Sequence, residues 1–191
     1  MKFTARILTL LLLVVAISAV KVLAFESSMW PGEGRPVFVA KTELTLYDRP
    51  LRSSRVVPGL KILKGQKLDY IKTVYRTTKP GWFKVLATSS ASVRSYGAVD
   101  VLSAEDYYDK GVEKTISFQS GDTIEFLQYR AEGECIARVG SEVVAFSPDA
   151  NISVVAEPQT EWWIEIANKQ KNPIGWVLID KKTVASLDRE F

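Results

Sequence analysis

Two closely spaced pairs of carboxylates are the residues whose types and spacing could support acid–base chemistry. Glu132 and Glu134 are two positions apart, as are Asp188 and Glu190. Residues two apart in a strand share one face, where neighbouring carboxylates shift each other's pKa. The chain has no His, which excludes Ser-His and Cys-His nucleophiles and a His-based metal site. Because such carboxylate pairs are far more often solvated than catalytic, we expect no enzyme activity, no metal and no cofactor.

The single cysteine, Cys135, lies in a predicted strand. A lone Cys cannot form an internal disulfide, so packed cores must hold the protein together. Most cysteines in such a position are small buried hydrophobic residues. The alternative is an intermolecular disulfide formed in an oxidising compartment, which would give a dimer through Cys135.

Aromatic and arginine side chains are better candidates for a site, and they suit binding rather than catalysis. Exposed aromatic rings hold extended peptides in grooves. Tyr47 and the polar, basic loop from Arg49 to Arg55 form the leading candidate set. Strand alternation places Trp162 and Trp163 on opposite faces, so one of them is expected to be exposed or packed between modules. The candidate ligand-binding residues are Tyr47, Arg49, Arg52, Arg55, Trp82, Trp163 and Trp176. The alternative for each ring is packing inside a core.

The N-terminus has the composition of a signal peptide. Lys2 and Arg6 precede an almost wholly apolar stretch from Ile7 to Val20. Cleavage is expected after Ala24, and Ala19 is a second candidate position. The protein would then be periplasmic or secreted.

The alternative to cleavage is an anchor from Ile7 to Phe25, with Lys21 reaching the membrane surface. The protein would then be anchored in the inner membrane. The bulk of the chain lies outside the cytoplasm in both cases, because Lys2 and Arg6 stay on the cytoplasmic side.

Removal of the leader balances the charge of the protein. Three of the 25 basic residues lie before Ala24, which leaves 22 basic and 22 acidic residues in the rest of the chain. A nucleic-acid-binding protein needs a retained basic face. The composition therefore argues against a nucleic-acid partner.

Short apolar strands separated by turn residues predict an all-β protein. Leu44 and Leu46, for example, alternate with the polar Thr45. Ser103 with Asp106 predicts the start of one short helical turn. We divide the chain into a leader (1–24), a linker (25–36), a first β module (37–101), a connector (102–114), a second β module (115–180) and a tail (181–191) that forms a brief helix or frays.

The first module carries four segments in order: Leu44 to Arg49, Arg52 to Arg55, Leu63 to Gly65 and Gly81 to Val85. In this order they resemble the apolar strand, the Arg/Ser/Pro-rich loop, the apolar–Lys–Gly step and the Gly-Trp-aromatic-Lys-Val strand of a bacterial SH3-like domain. Such domains also have a late Gly-Trp-Val strand. Tyr96-Gly97-Ala98-Val99 stands in the place of the last strand, with Ala98 instead of the aromatic residue.

The second module resembles a more divergent copy. Phe118 to Asp122 is similar to the Lys–Gly step, Glu161 to Ile166 to the Gly-Trp strand, and Gly175-Trp176-Val177 supplies a Gly-Trp-Val. The resemblance implies tandem small SH3-like barrels behind the leader. It also implies a non-catalytic binding module of the bacterial cell envelope that recognises peptidoglycan or an extended peptide or protein partner. The alternative is a structural or assembly accessory of a membrane-associated envelope complex.

Overall fold

The computed structural model describes residues 24–29, 35–131 and 133–187 of the chain. The leader up to residue 23, part of the linker, Glu132, Asp188 and Glu190 lie outside these residues. Strands make up 56% and helix 4% of the structure, which confirms the all-β prediction. Within the described ranges no sheet closes into a barrel, and none of their helices is long and apolar enough to cross a membrane.

In chain order, the described residues form sixteen strands and one helix. The first eight strands are β1 (Glu26–Ser27), β2 (Phe38–Ala40), β3 (Leu44–Tyr47), β4 (Val56–Ile62), β5 (Tyr70–Lys79), β6 (Gly81–Val85), β7 (Ser89–Ser95) and β8 (Val101–Leu102). The helix α1 (Ala104–Asp109) follows. The remaining strands are β9 (Val112–Phe118), β10 (Thr123–Tyr129), β11 (Cys135–Val139), β12 (Glu142–Phe146), β13 (Ile152–Ala156), β14 (Gln159–Ala167), β15 (Pro173–Ile179) and β16 (Val184–Ser186).

Two seven-stranded sheets and one two-stranded sheet contain these strands. The first sheet has the order β4-β3-β15-β14-β5-β1-β8, and the second has the order β13-β6-β10-β11-β12-β7-β9. Strands β2 and β16 form the small sheet, with Ala40 opposite Val184. The tail, which the sequence predicts as a brief helix or a frayed end, therefore contributes a strand.

The second sheet is inserted between two neighbouring strands of the first. Strands β5 and β14 pair antiparallel, with Lys79 opposite Gln159 at one end. Between these two residues the chain builds every strand of the second sheet. It enters that sheet through β6 and leaves it through β13, which pair with Trp82 opposite Ala156. The first and last connections between the sheets, β5 to β6 and β13 to β14, therefore run side by side. Between them the chain also leaves the second sheet after β7, forms β8 in the first sheet and returns through α1 to β9.

This pairing differs from the strand order expected from the sequence. Gly81–Val85 was expected next to the strands that follow Leu44–Tyr47, but it lies in the second sheet. Its expected place beside β5 is taken by Gln159–Ala167, which pairs in turn with Pro173–Ile179. Both candidate strands have the aromatic, half-buried pattern that suits this place. In the structure β14 takes this place and inserts Trp162 into the core of the first sheet.

Gly81 lies where the connection from β5 to β6 passes close to the connection from β13 to β14. A Cβ atom on this residue would lie 2.2 Å from the carbonyl oxygen of Ala156 and 2.6 Å from the nitrogen of Pro158. Because both of these atoms belong to the backbone, no side chain can rotate away to make room. Only glycine allows this approach of the two segments.

The N-terminal segment and α1 pack together against one face of the second sheet. Phe25, Met29 and Tyr107 share a buried cluster with Leu127 and Ile136. The side chain of Ser103 accepts a hydrogen bond from the backbone nitrogen of Asp106 and so caps α1. This cap confirms the predicted helix start.

Candidate ligand-binding face

Most of the candidate residues lie on the face of the first sheet that points away from its core. In β14, Trp162 belongs to the core cluster of this sheet, so its neighbours Glu161 and Trp163 point to the opposite face. This confirms that the two tryptophans face opposite sides. Neither indole is exposed, however: Trp163 has 0% of its surface accessible.

Trp163 is linked through Glu161 to the connection between β3 and β4, residues 48–55, which we call the arginine loop. Its two ends are joined by a hydrogen bond from the nitrogen of Asp48 to the carbonyl of Arg55, at 2.9 Å. Within it, the buried Ser54 donates through Oγ to the carbonyl of Arg49, also at 2.9 Å. These bonds give the loop a defined shape that Pro50 stiffens further.

Two contacts fasten the arginine loop to the sheet. Arg52 Nε donates to Glu161 Oε1 at 2.5 Å, and Arg76 Nη1 donates to the carbonyl of Pro50 at 3.3 Å. The second oxygen of Glu161 accepts from Trp163 Nε1 at 3.0 Å. Glu161 therefore ties the loop and the buried indole together through its two carboxylate oxygens.

Tyr47 and Trp176 flank the loop as half-buried rings. The two residues are opposite each other in neighbouring strands. The Tyr47 ring also meets the Trp163 ring edge-on, with centroids 5.4 Å apart and an angle of 89° between the planes. Gly175 allows this close packing, because a Cβ atom there would lie 3.0 Å from the Tyr47 carbonyl oxygen. Tyr47 is thus rigid while part of its surface remains open.

The three arginines of the loop form their ion pairs through Nε. Arg49 and Arg55 pair with the two carboxylate oxygens of Asp48, at 3.9 and 3.5 Å, and Arg52 pairs with Glu161. Their side chains remain 73%, 81% and 63% exposed, respectively. The terminal nitrogens of a guanidinium form a planar fork that matches a carboxylate. The loop therefore presents three such forks to solvent.

We name the arginine loop, Tyr47, Glu161, Trp163 and Trp176 together the arginine-loop face. Of the predicted site residues, it brings together all except Trp82. That residue lies on β6 in the second sheet, opposite Glu125 of β10, and its side chain is 43% exposed. Trp163 has no accessible surface and is linked to the loop through Glu161.

The sequence analysis does not identify Glu161, which belongs to this face, or Arg76, which binds the loop from outside it. Arg76 also pairs with Glu26 of β1, at 2.8 Å, and so joins the loop to the N-terminal strand. Both residues lie far from the arginine loop in the sequence. The one available signal is the carboxylate of Glu161 directly before the Trp162–Trp163 pair.

The carboxylate pair of Glu132 and Glu134 is described only in part, because Glu132 lies outside the described residues. Glu134 accepts a hydrogen bond from the Tyr107 hydroxyl. Burial, together with this bond, raises the pKa of Tyr107. Glu134 also lines a polar cleft of about 320 Å³ with Ser90, Ser92, Arg94, Glu113 and Asp149, among others. Among the described residues no cluster of three His, Cys, Asp or Glu side chains could hold a metal ion.

Cys135 lies in the core of the second sheet with 2% of its surface accessible. Burial raises its pKa from 9.0 to about 12. The neutral thiol is therefore favoured in the folded state, and its contribution to stability is lost as the pH rises from about 9 towards 12. An intermolecular disulfide through Cys135 would require this core to open.

We expect Cys135 to resist iodoacetamide at pH 8 in the native protein and to react completely in guanidinium chloride. The thiolate is the reacting species, and burial suppresses both its formation and its access. Mass spectrometry of the alkylated chain measures the modified fraction. Rapid labelling under native conditions would contradict this burial. Non-reducing electrophoresis tests the alternative, a dimer through Cys135, directly.

Comparison of the chain with protein-family models, curated proteins and solved structures finds no match.

Proposed function

We propose that this chain is a non-catalytic binding module of the bacterial cell envelope, and that its arginine-loop face recognises an extended peptide bearing carboxylates. Peptidoglycan stem peptide and an acidic segment of a protein partner are the two ligands of this class. The observation that carries the proposal is the set of three outward guanidinium forks beside two half-buried rings. Forks of this kind pair with carboxylates, while the rings supply apolar contact area.

The fixed conformation of the arginine loop favours binding. Its hydrogen bonds and its attachment to Glu161 fix the loop before any ligand arrives, so little conformational entropy is lost on association. Asp48 and Glu161 orient the guanidinium groups through Nε. A ligand carboxylate can then accept from the terminal nitrogens without displacing either residue.

Motifs shared with SH3-like domains support the same proposal. The segment from Leu44 to Arg49 and the Gly175-Trp176-Val177 motif lie on β3 and β15, which are neighbours in the first sheet. We propose that this sheet contains an SH3-like unit assembled from two separate parts of the chain. Placement outside the cytoplasm rests on the composition of the leader.

The alternative function, an assembly accessory of an envelope complex, is favoured by the free edge of the second sheet. Strand β13 is at this edge and has no charged residue between Ile152 and Ala156. Val155 is 61% exposed. Uncharged, apolar edge strands are surfaces to which other chains add.

Co-sedimentation of the full chain, in mild detergent, with isolated cell-wall sacculi tests the proposed function. Replacing Arg49, Arg52 and Arg55 together with Ala is expected to lower the affinity roughly tenfold to a hundredfold, because three exposed charge pairs are lost. A parallel titration with a soluble acidic peptide distinguishes a protein-type ligand from the wall.

The matched control replaces three exposed lysines of the same half of the chain, Lys61, Lys64 and Lys67, with Ala. It removes the same net charge away from the arginine loop. Equal losses of affinity in the two triple variants would show that the effect comes from net charge and not from the arginine loop. Absence of binding to both sacculi and peptide would reject the proposed function.

A further inference from the structure

The second sheet is split along one side of β7. On its other side, β7 pairs with β9 through all seven of its residues. With β12 it forms only two pairs, Ser95 with Val144 and Arg94 with Ala145. Among the described residues, the part of β7 that precedes Arg94 therefore has no neighbouring strand on the β12 side.

The gap opens because the chain after β12 turns away from β7 to reach β13, at the far edge of the sheet. Asp149 fixes this turn by accepting through Oδ1 from the Asn151 nitrogen at 2.8 Å. Continuation of the β7–β12 register would place Ser147 opposite Ser92 and Asp149 opposite Ser90. The polar cleft of about 320 Å³ lies between these residues instead, and all four of them line it.

The backbone groups of Ser90 and Ser92 point into this cleft. The Tyr96 nitrogen donates to the Val143 carbonyl of β12 at 2.9 Å. Because successive residues of a strand direct their N–H and C=O groups to alternate sides, the even-numbered residues of β7 face β12 and odd-numbered residues such as Ala91 bond to β9. Ser90 and Ser92 therefore present two donors and two acceptors to the cleft, and no described residue bonds to these groups.

This free side of β7 fits an extended chain. Residues two apart in a strand lie about 7 Å from each other, and the bonded pairs of an antiparallel ladder repeat at the same interval. A row of unpaired backbone groups is a template to which another strand adds. An extended peptide segment is therefore the ligand shape that satisfies the groups of Ser90 and Ser92.

The charges that line the cleft determine which kind of segment it accepts. Arg94 is paired with Glu113, with 3.0 Å between Nε and Oε1. Glu134 and Asp149 also line the cleft, and neither forms an ion pair with a described residue. One basic and three acidic residues leave an excess of two negative charges. Charge complementarity therefore favours a segment that carries Lys or Arg.

We propose that this cleft binds an extended segment of a partner protein, which adds as a short strand to the free side of β7 and places a basic side chain beside Glu134 and Asp149. The proposal is independent of the arginine-loop face, because it concerns other residues and a ligand of the opposite charge. Either site can fail its test without affecting the other.

Amide hydrogen exchange in the full chain, in mild detergent, tests the free side of β7. The amides of Ser90 and Ser92 are expected to exchange at least about tenfold faster than those of Ala91 and Val93, which bond to β9. Heteronuclear NMR measures each amide separately. Equally slow exchange at all four residues would show that this side of β7 is already paired, and would overturn the proposal.

The probe for binding is a five-residue peptide of alternating lysine and valine, blocked at both ends. The comparison is the same peptide with glutamate in place of lysine. The lysine peptide is expected to slow exchange at Ser90 and Ser92 about tenfold and to leave Ala91 unchanged. Absence of protection by both peptides would overturn the proposal, and equal protection by both would overturn its preference for basic residues.

Ser92→Pro removes an N–H group that faces the cleft, and it is expected to abolish the protection of Ser90. The matched control is Ser117→Pro in β9, because the Ser117 N–H points to the open edge of the sheet and away from β7. Slow exchange of Val93 in both variants shows that β7 and β9 remain paired. Loss of binding only in the control would place the peptide on the edge of β9 and contradict the proposal.

A second variant, Glu134→Gln combined with Asp149→Asn, tests the charge preference without changing the backbone. Both substitutions keep an oxygen that can accept the hydrogen bonds from Tyr107 and Asn151. The affinity for the lysine peptide is expected to fall about threefold to thirtyfold, because two charge pairs are lost. An unchanged affinity would show that these carboxylates do not contact the ligand.

Discussion

Replacing Gly81 with alanine is expected to lower the free energy of unfolding by about 3 kcal/mol or more. The added methyl group would meet the backbone of Ala156 and Pro158 at 2.2 and 2.6 Å. Relief would require separation of the two side-by-side connections between the sheets, and the neighbouring pairs of β5 with β14 would be disturbed with them. Chemical denaturation followed by circular dichroism measures the change.

Gly111→Ala is the matched control for this prediction. A Cβ atom there would also make short contacts, of 2.1 and 2.2 Å, but with the Cγ and Cδ atoms of the Arg94 side chain. The ring atom Cε1 of Tyr96 would lie 2.9 Å away. Because these are side-chain atoms, Arg94 can change rotamer at the expense of its ion pair with Glu113, and we expect a smaller loss, of about 1–2 kcal/mol. Similar losses of stability for both variants would show that the close approach of two backbone segments at Gly81 is not the reason why the substitution destabilises the protein.

Replacing Trp163 with alanine is expected to lower the free energy of unfolding by about 3–5 kcal/mol, as for other fully buried aromatic residues. The substitution would also remove the donor that orients Glu161, the residue to which Arg52 of the arginine loop is bound. We therefore expect faster cleavage by trypsin after Arg52 and Arg55 under native conditions. Thermal unfolding measures the first effect, and mass spectrometry of the early fragments measures the second.

Trp163→Phe separates the two contributions of this side chain. It keeps an aromatic ring against Tyr47 but removes the hydrogen bond to Glu161, for which we expect a loss of roughly 1.5–3 kcal/mol. The loop should remain resistant to trypsin. If the Phe variant were cleaved as fast as the Ala variant, the bond to Glu161, and not the packing of the ring, would be what holds the loop closed.

Local features of this protein could be predicted from its sequence because short-range physics determines them. The alternation at Leu44 to Leu46 gave a strand, and the Ser103 side chain capped the helix as its spacing to Asp106 indicated. The opposite orientation of Trp162 and Trp163 followed from the pleat of a strand alone.

The partners of the strands could not be predicted in the same way. Both Gly81–Val85 and Gln159–Ala167 have the pattern of a half-buried strand with an aromatic pair, and nothing within either segment says which one pairs with β5. That choice depends on packing between residues about 80 positions apart in the sequence. A sequence that matches a family segment by segment therefore predicts strand pairing poorly when a large insertion separates the segments.

The candidate site was predictable in its residue types and not in its geometry. The basic loop and Tyr47 were identified from the sequence, and the structure places them together. Trp163 is fully buried, and the bond that links the loop to the strand of Trp163 joins Arg52 to Glu161, which are 109 positions apart. No local signal distinguishes a tryptophan that contacts a ligand from one that supports the loop above it.

The central position of β14 and β15 in the first sheet has a consequence for the time course of synthesis. These strands join β3 and β4 on one side to β5 and β1 on the other, and they are among the last segments to be made. Until they emerge, the two early groups of strands have no common partner, although the whole second sheet between them is complete. The arginine loop can close only after Glu161 arrives. A nascent chain therefore carries the β3–β4 pair and the group of β5, β1 and β8 without the strands that join them throughout most of its elongation, and acquires its complete binding face in the final steps.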